Sequence, residues 1–416
     1  MTNVPKGGWR LVVQASRWMV LVAALSGVYP ASGRAQTYPA PPAPEEDARI
    51  RIGPVSVRPT FVLRDVGLDS NVFNESGQAQ EDFSATSGAK VDLGLRLNRV
   101  VATFASTFEY IYFREYKSER GSNRASTGRV DFLLGRLRPY ALASIVDSHE
   151  RPNTEIDSRA HRRETRYGGG AGLLLFARTS ATASYRRSNA TYADDEVFAG
   201  VTLPDALNTE TETITGGVEL ELTPLTSLSV DVEQTKDNFP RSPTRDAETR
   251  RYGAAVTFQP AALISGRAQI AYRDFQPVSS NIPEMSGIAA AVALAYSFRD
   301  QMRVALNVDH DIRYSFADET PYYLSTAARI TLTQRIHGPV DLQLVGGGDR
   351  LRYEARADVG ALARSDRLRV LGGGIGYRLG DNSRIGVNIE HTERSSPAEE
   401  RRYTRRRIFG SLTYGF

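Results

Sequence analysis

Five histidines are the first candidates for chemistry: His149, His161, His310, His337 and His391. An imidazole beside a carboxylate can serve as a general base. His310 stands between Asp309 and Asp311, and His391 follows Glu390. A hydrolase built on either would also need a nucleophile at the imidazole and a third group to orient it. The surrounding pattern opposes this. Met302, Val304, Leu306 and Val308 alternate with other residue types. A strand through them sends His310 to one face and both aspartates to the other. What remains is a solvated histidine near a strand end. The histidines are scattered without metal-ligand spacing, and there is no cysteine to supply a thiolate. The run Asp194-Asp195-Glu196 could take Ca²⁺ or bridge lipopolysaccharide through divalent ions, but it reads equally as a solvated loop. No catalytic residue, metal site or cofactor is expected. Glycine triplets at 168–170, 346–348 and 372–374 form no nucleotide fingerprint, because no helix follows them.

The elements that must position these residues are strands. From Val55 onward, segment after segment alternates apolar and polar residues. Val91, Leu93 and Leu95 share one parity, as do Ile214, Val218, Leu220 and Leu222. So do Ile288, Val292, Leu294, Tyr296 and Phe298, and later Ile385, Val387 and Ile389. Such alternation makes one face apolar and the other polar. About 18 such segments follow one another, each near the length of a tilted membrane strand. Short connections fall near Asn98-Arg99, Arg178-Thr179, Thr223-Pro224, Pro260-Ala261, Arg299-Asp300, 337–339 and 380–382. They alternate with long polar ones near 67–82, 150–162, 195–209, 238–247, 274–284, 355–364 and 394–402. A water-soluble sandwich has no reason to alternate loop lengths this way, whereas an outer-membrane barrel does. The fold class expected is all-β: one transmembrane antiparallel barrel of about 18 strands.

Parity then places charge inside the barrel. Glu219, Glu221, Asp231 and Glu233 are expected on an acidic wall of the lumen. Arg267, Arg303, Arg329, Arg384, Arg405 and Arg407 are expected on a basic one. Opposed walls would set up a transverse field that orients polar solutes. Cross-strand ion pairs are the simpler use of the same charges, and Asp309, Asp311 and Asp341 among the arginines favour that use. Ala289, Ala291, Ala293, Ala295 and Ser297 form an inward strip that leaves space or a smooth wall. Leu368 and Val370 stand on the parity opposite to the apolar residues that follow, which predicts a bulge near 370–373.

The chain divides into 1–35, 36–50 and 51–416. Lys6, Arg10 and Arg17, then the apolar run 18–25, then Gly33-Arg34-Ala35 read as a signal peptide cleaved after Ala35. Residues 36–50 are proline- and acid-rich, as in a periplasmic linker. With 52 basic and 48 acidic residues spread along the chain, no basic footprint for nucleic acid exists. The last strand ends with Leu412, Tyr414 and Phe416 at even spacing. That ending resembles the signal read by the barrel assembly machinery. The location expected is the outer membrane, with lipid and lipopolysaccharide as surroundings.

One local motif adds to this pattern. Gly67-Leu68-Asp69-Ser70-Asn71-Val72-Phe73 follows the first strand. On its Gly67, Asp69, Asn71 and Phe73 the chain resembles the second family of bacterial outer-membrane β-barrel porins. Leu68 stands where an aromatic is common in that family. From the residues alone, the motif is an Asx-type turn. The resemblance implies passage of a hydrophilic solute or polymer, often in association with exopolysaccharide production and polysaccharide export proteins. The barrel by itself implies a general or substrate-selective diffusion porin. A structural or adhesive surface barrel with a closed lumen is the third expectation.

Overall fold

The computed structural model describes residues 50–260, 262–299, 301–359, 364–380 and 383–415. The expected signal peptide, almost all of the linker and Phe416 lie outside the described residues.

Eighteen strands follow one another antiparallel around a ring. They are β1 (Val55–Asp69), β2 (Asp82–Leu97), β3 (Val100–Phe113), β4 (Gly121–Phe132), β5 (Leu137–Glu150) and β6 (Ala160–Phe176). Next come β7 (Thr179–Tyr192), β8 (Thr209–Thr223), β9 (Thr226–Asn238), β10 (Ala247–Phe258), β11 (Ile264–Pro277) and β12 (Met285–Phe298). The series ends with β13 (Met302–Tyr314), β14 (Tyr322–His337), β15 (Val340–Glu354), β16 (Ser365–Arg378), β17 (Arg384–Ser395) and β18 (Tyr403–Gly415). Each pairs with its sequence neighbours, and β1 pairs with β18 to close the barrel. Leu63 faces Leu412 and Phe61 faces Tyr414 at that seam. Closure leaves no edge, so every strand has a partner on both sides, as a hydrocarbon surrounding demands.

The alternation sets the two faces. Ile214, Val230, Val232, Ile270, Ile288, Leu371, Val387 and Ile408 are each more than 49% exposed, on the outside. Asp231, Glu233, Gln269, Asp341 and Asn388 are buried, on the inside. An apolar exterior around a polar interior is stable only with lipid outside and water within.

Eight connections are short: 98–99, 133–136, 177–178, 224–225, 259–263, 299–301, 338–339 and 379–383. Nine are longer and lie together at the other end: L1 (70–81), L2 (114–120), L3 (151–159), L4 (193–208), L5 (239–246), L6 (278–284), L7 (315–321), L8 (355–364) and L9 (396–402). The turn at 133–136 and loops L2 and L7 were not among the connections expected from the sequence. Most strands have 12 to 17 residues, more than the roughly 9–11 that cross a bilayer. The surplus raises the rim on the long-loop side.

The bulge expected near 370–373 does not form. Register with both neighbours of β16 runs unbroken from Arg367 to Tyr377. Leu368 and Val370 point inward and pack with Tyr403 at the raised rim. Arg367 and Arg369 face outward there. Above the bilayer the polarity of the two faces inverts, and this mimics a parity break. Register does shift elsewhere, notably in β1 between Leu63 and Gly67. Asp65 takes φ 55° there, and its carboxylate is held by Arg64 (2.6 Å) and Arg407 (3.2 Å).

Candidate functional site

The motif that starts at the end of β1 anchors the mouth on the long-loop side. Asn71 N–H donates to Asp69 Oδ1 at 3.1 Å, closing the Asx turn. The Asn71 amide then donates to the carbonyls of Glu75 (2.9 Å) and Thr404 (3.2 Å), and its oxygen accepts from Glu75 N–H (2.9 Å). Asp69 is buried and accepts from the Arg405 guanidinium on β18, Nε at 2.8 Å. Both members of this pair are therefore consumed at the seam. Gly67 is needed because a Cβ there would overlap the Ile408 carbonyl oxygen on β18. Val72 is fully buried against Ile111 and Phe113, and Phe73 packs edge-on against Tyr116 of L2 at 4.8 Å.

L3 leaves β5 and β6 and crosses the mouth. Thr154 Oγ1 donates to Asp349 Oδ2 on β15 at 2.6 Å. β15 lies nine strands from β6 in a ring of eighteen, which is half the circumference. Arg394 on β17 donates to the Thr154 carbonyl (2.7 Å), Asp157 (2.9 Å) and Asp366 (2.7 Å). Arg151 donates to the Val72 carbonyl at 2.5 Å, and Arg159 meets Glu119 at 2.9 Å. Glu155 is fully buried. It accepts from the Ser315 hydroxyl at 2.6 Å and from Phe316 N–H at 3.4 Å, while Arg401 donates to its carbonyl. Burial raises the Glu155 carboxyl to about 7, against the opposing pull of Ser315, Arg401, Phe316 N–H and Arg364.

An apolar plug sits over this strap. Ile156, Leu203, Ala206, Leu207 and Phe316 bury one another, with Phe198 and Val201 packed alongside. The short helix Leu203–Leu207 of L4 begins with Pro204 near its first turn and turns its apolar residues to Ile156. Arg245 of L5 is buried and ties the loops together, donating to the carbonyls of Ser315 (2.5 Å), Ala317 (2.9 Å) and Ala206 (3.4 Å).

Below the mouth the lumen is polar. Glu219, Glu221, Asp231 and Glu233 lie on the inner face of β8 and β9. Glu233 faces Arg251 in register, 3.9 Å away, and Gln269 donates to Asp231 at 3.4 Å. Arg267 faces inward on the same wall, opposite Ala293. Arg384 lies across Gly376 and Gly386, where a Cβ would meet its guanidinium, and reaches Asp341 at 2.7 Å. Arg407 pairs with Glu390 at 2.7 Å and with Asp65. Among the described residues, Arg303 and Arg335 face inward near the short-turn end without an ion pair, although Arg335 stands opposite Asp341 in the ladder. Arg329 lies between Asn307 and Gly347. The alanine strip of β12 is inward, flanked in register by Gln269 and Arg267 on one side and by Asn307 and Arg303 on the other.

The histidine geometry is not that of a base. His310 Nδ1 meets Thr326 Oγ1 at 2.7 Å on the outer face. Its neighbours diverge, Asp309 to Arg313 (2.6 Å) and Asp311 to Arg273 (2.5 Å). Among the described residues no three potential metal ligands converge.

Sequence reasoning missed Glu155, Arg245, Asp366, Arg394 and Arg401. Only Ile156 within the charged stretch 151–159, and Leu203 with Leu207 in L4, hinted that these loops fold inward.

Several solved barrels resemble this one. OpdK of Pseudomonas aeruginosa, determined with vanillate, aligns over 86% of this chain and 99% of its own at TM-score 0.48 and 10% identity. The siderophore receptor PirA of Acinetobacter baumannii aligns over 86% and 80% at TM-score 0.41 and 8% identity. The FrpB iron transporter of Neisseria meningitidis aligns over 82% and 62% at TM-score 0.41 and 11% identity. A comparison with curated proteins finds no match. The family model described as "Putative beta-barrel porin 2" matches residues 43–416, the whole of the barrel. The chain thus belongs to this family of β-barrel porins.

Proposed function

We propose that the protein is a gated outer-membrane channel for a hydrophilic solute or polymer, with L3 as the strap that narrows its extracellular mouth. The observation that carries this reading is the span of L3 from β5–β6 to Asp349, half the ring away, with Arg394 of β17 as a second anchor. A strap held by side-chain bonds can open without disturbing the strand ladder, because Asp349 and Arg394 hold it through their side chains while their backbones stay paired with neighbouring strands. The polar inner face supplies the water path beneath it. A general diffusion porin would need no such cross-mouth anchoring, so selective or gated passage is favoured over an always-open pore.

Exopolysaccharide is the polymer that the family resemblance suggests. The alanine strip of β12 supports it by offering a wall with few projections to catch a chain. The purified barrel in planar bilayers tests the channel reading. Brief openings of a partly occluded pore are expected. A well-folded barrel that never conducts would favour a closed surface protein instead. In the cell, loss of surface polysaccharide on deletion supports export, and its retention returns the reading to solute uptake.

A further inference from the structure

The outer face of the rim at β15–β18 is rich in arginine. Elsewhere near the long-loop end, outward basic groups on the strands stand beside an acid or opposite one in the ladder: Arg187 meets Glu210 and Glu212, Lys236 meets Glu248, His161 stands by Asp147 with Arg124 and Arg163 opposite the same acid, and Arg250 is opposite Asp274. At β15–β18 five exposed arginines gather instead: Arg350, Arg352, Arg367, Arg369 and Arg406. Arg350 and Arg367 are directly opposite in the ladder, and His391 is opposite Arg406. Like charges directly opposed destabilise a sheet. The acids on this face are Glu354, held by Arg352 at 3.2 Å, and Glu393, which stands opposite Arg369 in the ladder. Among the described residues, Arg367, Arg369 and Arg406 enter no ion pair.

The height of the patch is informative. Leu371 lies two residues below Arg369, Ile389 two below His391, and Ile408 two below Arg406; each is more than half exposed. The arginines therefore sit at the upper border of the apolar belt, at headgroup level in the leaflet that faces the long loops. A ligand there must be anionic at its head and acyl below. Guanidinium forks match phosphate oxygens two at a time and do so better than ammonium groups. One phosphate between Arg350 and Arg367 would turn their repulsion into a bridge.

We propose that β15–β18 carry a binding site for the phosphorylated head of lipopolysaccharide, with Arg350, Arg367 and Arg369 as its phosphate ligands. The site is on the lipid face and is independent of what crosses the lumen.

The test uses the full barrel in detergent and native mass spectrometry with purified lipopolysaccharide, its dephosphorylated form, and inorganic phosphate. Wild type should retain lipopolysaccharide and lose it on dephosphorylation. The triple variant Arg350→Gln, Arg367→Gln, Arg369→Gln should bind roughly a hundredfold more weakly, about fivefold per arginine near an anionic surface. Folding of the variant is checked by heat-modifiable gel mobility. If it fails to fold, the single variants, each about fivefold weaker, replace it. Arg187→Gln, from a matched sector, should leave binding unchanged. Equal binding by folded variants and wild type would overturn the site. So would equal retention of the dephosphorylated lipid, or displacement of the lipid by millimolar inorganic phosphate.

Discussion

Replacing Arg394 by Gln should release the L3 strap and open the mouth. Arg394 makes three charge-assisted bonds: to Asp366 on the adjacent strand, and to the Thr154 carbonyl and Asp157 on L3. The Asp366 pair is common to the open and closed states, since β16 and β17 stay paired in both. Only the two bonds to L3 distinguish them. A hydrogen bond to a charged group contributes about 1.5–3 kcal/mol, so the strap should lose roughly 3–6 kcal/mol of closed-state preference. Glutamine can restore one weaker bond, which leaves about 2–4 kcal/mol. That corresponds to a shift in the open-to-closed ratio of roughly 30-fold to 1,000-fold. Single-channel recording reads the ratio as open probability. Trypsin added from the loop side reads it as cutting after Arg159, since Pro152 protects the bond after Arg151. Asp157→Asn should have a related but smaller effect, and the double variant should fall short of the sum because the two groups share a bond. An Arg394→Gln barrel with wild-type open probability and wild-type protection of L3 would refute the strap.

The buried Glu155 carboxyl makes the same strap pH-dependent. Its value near 7 when L3 is closed exceeds the ordinary carboxylate range, so the closed loop binds the proton more tightly and its stability falls as pH rises from about 4.5 to 7. Conductance should therefore be lowest in acid and rise across that window, and Glu155→Gln should flatten the profile; an unchanged profile would count against it. Gly67→Ala should weaken the β1–β18 seam, because the new methyl overlaps the Ile408 carbonyl. A loss of about 1–3 kcal/mol is expected from overpacking, read as an earlier urea midpoint in vesicles, and a wild-type midpoint would show that the seam can yield. Arg303→Gln with Arg335→Gln removes two inward charges that form no ion pair among the described residues, so the reversal potential in a salt gradient should move toward cation preference. Neutralising Arg405 would confound that test, since Arg405 is spent on Asp69.

The sequence by itself determined the ring. Alternation in segments such as 214–222 and 385–389, punctuated by short and long connections, was enough for an all-β barrel of about 18 strands and for the inward face of each. The reason is local: period-2 patterning depends only on which solvent each face meets. The same logic failed at Leu368 and Val370, because parity says nothing about height. Above the bilayer the outer face wants charge and the inner face packs under loops, so Arg367 and Arg369 exchange roles with their neighbours.

Only the tertiary structure decided the mouth. Asp69 and Asn71 were legible as a turn, but Arg405 and the Thr404 carbonyl, more than 300 residues away, become their partners only when the barrel closes. Glu155, Asp349 and Arg394 come from three distant segments that carry no shared spacing. Their meeting depends on ring circumference and loop reach, quantities that no window of sequence contains. The charges inside were visible by parity, yet whether each was spent or free was not. Arg384 is bound to Asp341 over a glycine, and Arg303 stands alone, because pairing depends on register between strands rather than on the alternation within one.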